Sequence, residues 1–311
     1  MFAWLAVASA LALDPSVPQD DPNSDPVTEL QSVLVDGRPL AEQARSFVVA
    51  ATDAPRGRSL ARWERPVCFG VVNLQTDAAQ ALIDRMAEVA VALGVRTEAP
   101  GCKPNLIVIA ARSADAEAMV RGAIDRSEFD FRPARGGTDR GADALEAFAS
   151  STAPVRWWHV SLPVEARTGA PAILLDGESL TSGGEDAPAL SIRVDSVSRT
   201  SSTIRNDLMR VIIVVDADQA SAAPFSALAD YLAMVGLAQI DPDAEVGDAP
   251  TILNLFNPDA AQPTRRLTDW DAAFLISLYE ARSNPASLNH HQHDIGRRLA
   301  RVLESSRSAT D

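Results

Sequence analysis

Residues 210–241 read RVIIVVDADQASAAPFSALADYLAMVGLAQID, and their pattern decides the fold. Arg210 to Asp216 reads as the most apolar strand of the chain. A run of that length bounded by polar residues reads as a buried strand. From Pro224 to Asp241 the period changes. Phe225, Leu228, Leu232, Val235 and Gln239 recur at helical spacing, and Pro224 suits a first helical turn. Ala229, Ala233 and Gly236 form a second strip of small residues on the same predicted helix. A buried strand followed at once by an apolar helix is the unit of an α/β layer.

Upstream, the same alternation recurs. Trp63 to Leu74 reads as an approach and first strand, with Pro66 at its entrance. Thr76 to Leu93 follows with helical periodicity; Thr76 is the expected N-cap and Gly94 the stop. Asn105 to Ala111 is a second strand and Ala114 to Asp125 a helix. A right-handed parallel crossover is the expected connection. A short helix is expected over Asp143 to Ala149. Trp157 to Val164 (WWHVSLPV) reads as an edge strand, because Pro163 removes a backbone donor. Arg132 to Gly141 and Gly177 to Pro188 read as loops, the latter as a flap over a sheet edge. Downstream of the central stretch, Thr268 and Asp271 form a capping-box pair for a helix, and a last helix runs from about Leu288. The fold class expected is α/β (α+β): a mixed, mostly parallel twisted sheet with the 224–241 helix packed on it and helices at the C-terminal end.

The beginning of the chain is different in kind. Met1 to Leu13 (MFAWLAVASALAL) is apolar but too short to span a bilayer. Ala10-Leu11-Ala12 offers an A-x-A cleavage site, so residues 1–12 read as a signal peptide. Residues 13–40, rich in Pro, Asp and Ser at their start, read as a disordered leader. The expected organisation is then one domain over 41–285 and a C-terminal helix over 286–311. The location is periplasmic or secreted. Acidic residues outnumber basic ones 42 to 28, a net charge of −14. That field repels phosphate backbones, so nucleic acid is not an expected partner. No later segment is long and apolar enough to be an integral membrane segment.

Two cysteines flank the first two strands. Cys68 opens CFGVVNL and Cys102 precedes NLIVIAA. Neighbouring parallel strands would bring both to the same end of the sheet. Export favours a Cys68–Cys102 disulfide; two buried free thiols are the alternative.

Reading Ala229 as position one, the central helix spells A-D-x-x-A-x-x-G-x-x-Q. That frame resembles the zinc-peptidase helix H-E-x-x-H-x-x-G-x-x-H with every metal-binding position replaced. Thr251-Ile252-Leu253-Asn254 is similar to the Ser-Ile-Met-Asn turn beneath the metal of metzincin peptidases. Leu267 to Tyr279 (LTDWDAAFLISLY) is similar to the helix that closes matrixin-type domains. The resemblance implies a degenerate zincin-like domain. Ala229, Ala233 and Gln239 would stand at the ligand positions, Asp230 at the general base and Gly236 at the turn. Alanine has no donor atom, and the amide oxygen of Gln239 is a poor substitute for imidazole. An isolated carboxylate at Asp230 is a weak hydrolytic catalyst without a metal to acidify its water.

Elsewhere the chemistry is sparse. His290, His293 and Asp294 share one face of a helix, the arrangement of an adventitious metal site, although a polar helix start capped by Asn289 explains them as well. His159, after two tryptophans, reads as a half-buried structural residue. The sequence carries no G-x-S-x-G elbow, no phosphate-binding loop and no dinucleotide fingerprint, so no cofactor is expected. These readings lead to a non-catalytic, inactive-peptidase-like module that binds a peptide or protein by strand addition. A hydrolase using Asp230 with loop residues and a purely structural envelope protein are the alternatives.

Overall fold

The computed structural model describes residues 38–55, 57–125, 131, 140–172, 201–260 and 264–308. The readings of a signal peptide, of the leader before residue 38, of the 177–188 flap and of most of the 132–141 loop lie outside the described residues.

The central strand is β4 (Ile204–Asp216), longer than expected because the chain is already extended from Ile204. It lies between β2 (Leu106–Ala111) and β3 (Val155–Glu165), and β1 (Phe69–Val72) completes the order β1-β2-β4-β3. β1, β2 and β4 run parallel, and β3 runs antiparallel to β4. The result is a mixed, mostly parallel α/β sheet. All six residues of β2 are buried, as a parallel strand covered on both faces requires. Pro163 sits on the terminal strand, where a missing N–H is tolerated.

Alternate side chains sort onto two faces. Leu106, Val108, Val211 and Ile213 join one core with α2 (Thr76–Ala92) and α6 (Phe225–Leu237). Ile107, Ile109, Ile212 and Val214 join a second, smaller core with α3 (Ser113–Asp125) and α4 (Ala142–Ser150). The neighbours Trp157 and Trp158 illustrate the pleat. Trp157 donates its indole N–H to the Ile240 carbonyl on the first face, and Trp158 donates to the Phe131 carbonyl on the second.

Around the larger core, α1 (Leu40–Ala51) packs against α8 (Leu288–Ser308), and α8 also packs against α7 (Asp269–Glu280). Gly296 permits the first contact, since a Cβ there would stand 2.9 Å from the Cα of Arg45. A single turn, α5 (Ala217–Ala220), follows β4 and is capped by Asp216.

Three local expectations are corrected. The cap of α2 is Gln75, in extended conformation, and Thr76 is already the first helical residue with no capping bond. α8 begins one residue before Asn289; the Ser287 hydroxyl accepts from the His290 N–H, and Asn289 instead accepts from Arg45 at 3.4 Å. Phe225 is exposed rather than part of a buried stripe, whereas every residue from Ala227 to Leu237 is buried. From Ala227 onward α6 is enclosed on all sides, and an enclosed helix shows no single apolar face.

Candidate functional site

The positions singled out on α6 lie within the larger core. Ala229 and Ala233 are 2% and 0% exposed. Gly236 brings α6 against the sheet and α2: a Cβ there would meet Leu106 Cδ1 at 2.9 Å and Met86 Cε at 3.3 Å. Its carbonyl accepts the Trp63 indole N–H at 2.9 Å. Gln239 lies beyond the end of α6, and its Oε1 accepts the Ala61 N–H at 2.8 Å.

Asp230 is 4% exposed, yet both of its oxygens are engaged. Arg85 of α2 donates to Oδ1 at 2.6 Å, and the Leu267 N–H donates to Oδ2 at 2.7 Å. A charge inside a helix with no other charged side chain among its buried residues needs such partners. The carboxylate thereby fastens α6 to α2 and to the chain entering α7. Arg85 was not legible as that partner: the two residues are 145 positions apart.

The turn beneath α6 is held by a second buried carboxylate. Thr251 starts a 3-10 turn over Ile252–Asn254 that packs against α6. Its hydroxyl donates to Asp271 Oδ1 at 2.5 Å, and the Ile252 N–H donates to Asp271 Oδ2 at 2.8 Å. Asn254 donates to the carbonyls of Gly247 and Ala249. Asp271 also closes the predicted capping box of α7 with Thr268. Burial pushes the Asp271 carboxyl above its ordinary value, opposed by the hydrogen bonds from Thr251, Thr268 and Ile252.

The histidines are dispersed. His290 and His293 are exposed, and Asp294 is paired with Arg297 at 2.9 Å and Arg298 at 3.0 Å. Among the described residues, no three His, Cys, Asp or Glu side chains come together as a metal-binding group. His291, which the sequence did not single out, is 1% exposed, and neither ring nitrogen has a hydrogen-bond partner. Burial first, then the nearby Arg62 cation, pushes it down to about 4. His159 is buried too; its Nε2–H donates to the Val235 carbonyl at 2.8 Å, and burial pushes it down to about 4.

Cys68 and Cys102 form a disulfide that ties the start of β1 to the loop leading into β2. No helix among the described residues is long and apolar enough to cross a membrane.

The two ends of the sheet differ. Val155 to Val164 of β3 are buried, so that edge is covered. β1 is half-buried, with Val72 41% exposed. The Cys68 carbonyl accepts from the Leu106 N–H. In a parallel ladder this parity turns Gly70 and Val72 toward β2 and turns the N–H and C=O groups of Phe69 and Val71 outward. Compared with protein-family models, with curated proteins and with solved structures, the chain matches none.

Proposed function

We propose that the chain is an exported, non-catalytic module of zincin-like layout that binds an extended peptide along β1. The observation that carries the reading is the employment of the motif side chains within the fold. Asp230 bridges α2 and the entry to α7, Gln239 holds the Ala61 N–H, and Ala229, Ala233 and Gly236 are close-packed. The order of apolar strand, buried helix, Thr251 turn and capped helix supports the zincin-like layout. The disulfide supports an oxidising compartment. β1 is the edge suited to strand addition, because main-chain groups at Phe69 and Val71 face away from β2.

Peptides selected by display on the oxidised protein test the reading. Bound peptide is expected to slow amide exchange at Phe69 and Val71. Val71→Pro removes an outward donor without touching the ladder to β2, so it should weaken binding at least tenfold while near-ultraviolet circular dichroism is unchanged. Selected peptides that protect only other segments would overturn the β1 assignment. Cleavage of denatured casein by the purified protein, lost in Asp230→Asn, would overturn the non-catalytic assignment.

A further inference from the structure

The smaller core is not fully packed. On the face of the sheet opposite α6, a cavity of about 220 Å³ lies between the strands and α3. Ile109, Ile212 and Val214 form its floor, and Val120 and Ala123 of α3 form a wall. Phe131 and Phe148, with ring centroids 6.2 Å apart, add to the apolar lining among the described residues. Natural interiors hold few voids larger than a water molecule. An apolar void of about 150 Å³ is dry and large enough to admit benzene.

The mouth is at the C-terminal end of β1. Val72 and Asn73 border it, both exposed, beside Met119. Crevices at the carboxyl ends of parallel strands are the usual ligand positions of open α/β sheets. Asn73 is the one described non-glycine residue at positive φ, 62°. Its amide nitrogen has only a weak partner, the Met119 sulfur at 3.8 Å. An amide held at the rim of an apolar cavity can orient a ligand's hydroxyl, ester or amide while the cavity takes its hydrocarbon.

We infer that this cavity binds a small neutral molecule carrying a short alkyl chain or a single aromatic ring, with its polar group at Asn73. The volume sets the hydrocarbon at roughly six to nine carbons, scaling from the cavity that holds benzene. The net charge of −14 disfavours a carboxylate head. This inference is independent of peptide binding at β1, because the cavity lies beneath α3 rather than along the outward edge.

The probe is 1-octanol, followed by methyl chemical shifts of the full chain. Saturable shifts are expected at Ile109, Val120 and Val214, with none at the exposed Val49 and Val91. Octanoate should bind at least tenfold more weakly. Ala123→Leu, which fills the cavity, should weaken 1-octanol at least tenfold without lowering the melting temperature. Val120→Ile serves if that variant fails to fold. Asn73→Gly keeps the backbone geometry, removes the amide and should weaken 1-octanol several-fold. Shifts that do not saturate, or equal shifts at Val91, would overturn the site. Unchanged affinity in the folded filling variant would do the same. Octanoate binding as tightly as 1-octanol would overturn the neutral head group.

Discussion

At the scale of residues, Asp230 and His291 are buried polar groups with opposite provision. Asp230→Ala removes an acceptor from Arg85 and from the half-buried Leu267 N–H. It should cost about 2–3 kcal/mol in urea denaturation, because an orphaned backbone donor is added to the lost charge-assisted bond. Arg85→Ala should cost less, about 1–2 kcal/mol: the arginine is 42% exposed and screened on its side, but its loss leaves the buried Asp230 carboxylate with the Leu267 N–H alone. His291 has no partner, so His291→Met should stabilise the fold. Its pH dependence has a definite sign. Folded His291 and His159 are held down to about 4, while in the unfolded chain both titrate near 6.5. Above about pH 6.5 neither state is protonated, and the pair leaves stability unaffected. Between about 6.5 and 4 only the unfolded chain takes up protons, so stability falls with acidification by about 3 kcal/mol per histidine. Burial raises Asp53 and Asp271, so these two carboxyls act in the opposite direction. Urea denaturation at pH 7.5 and 5 should therefore show a shallower loss in His291→Met than in the parent. His159 was read as structural from the sequence, but the burial of His291 was not legible beforehand. Neighbouring His290 and His293 carry the same side chain on the exposed side of α8, and only packing distinguishes them.

At the scale of elements, what could be read was what is written locally. The capping box of α7 is fixed by a spacing of three residues, and Thr268 and Asp271 were found from it. β2 and the apolar half of β4 announce themselves as continuous apolar runs. The ends proved harder, as Gln75 and Ser287 show, because a cap depends on where the chain arrives from. The second duty of Asp271, holding the Thr251 turn, depends on contact between segments about twenty residues apart. Asp271→Ala should accordingly cost more than a cap alone, about 3 kcal/mol or more against about 1 kcal/mol for Thr268→Val. Thermal melts of the two variants check the ranking. Similar losses would mean that the turn is held by other contacts.

At the scale of the whole molecule, the disulfide and the two faces of the sheet decide how the protein comes apart. Cys68 and Cys102 are 34 residues apart and enclose β1 and α2. Reduction should lower stability by about 4 kcal/mol in the chain-entropy account, measured by denaturation with and without reductant. The bridge constrains the side of the sheet that carries α2 and α6. α3 and α4, on the other side, rest on the smaller apolar cluster and its cavity. That asymmetry ranks the amides of the protein by their protection. Native-state hydrogen exchange should find α3 and α4 opening together in a sub-global unit, well below the free energy of global unfolding. The amides of α6 from Ala229 to Leu237, closed in from every side, should exchange only when the entire chain unfolds.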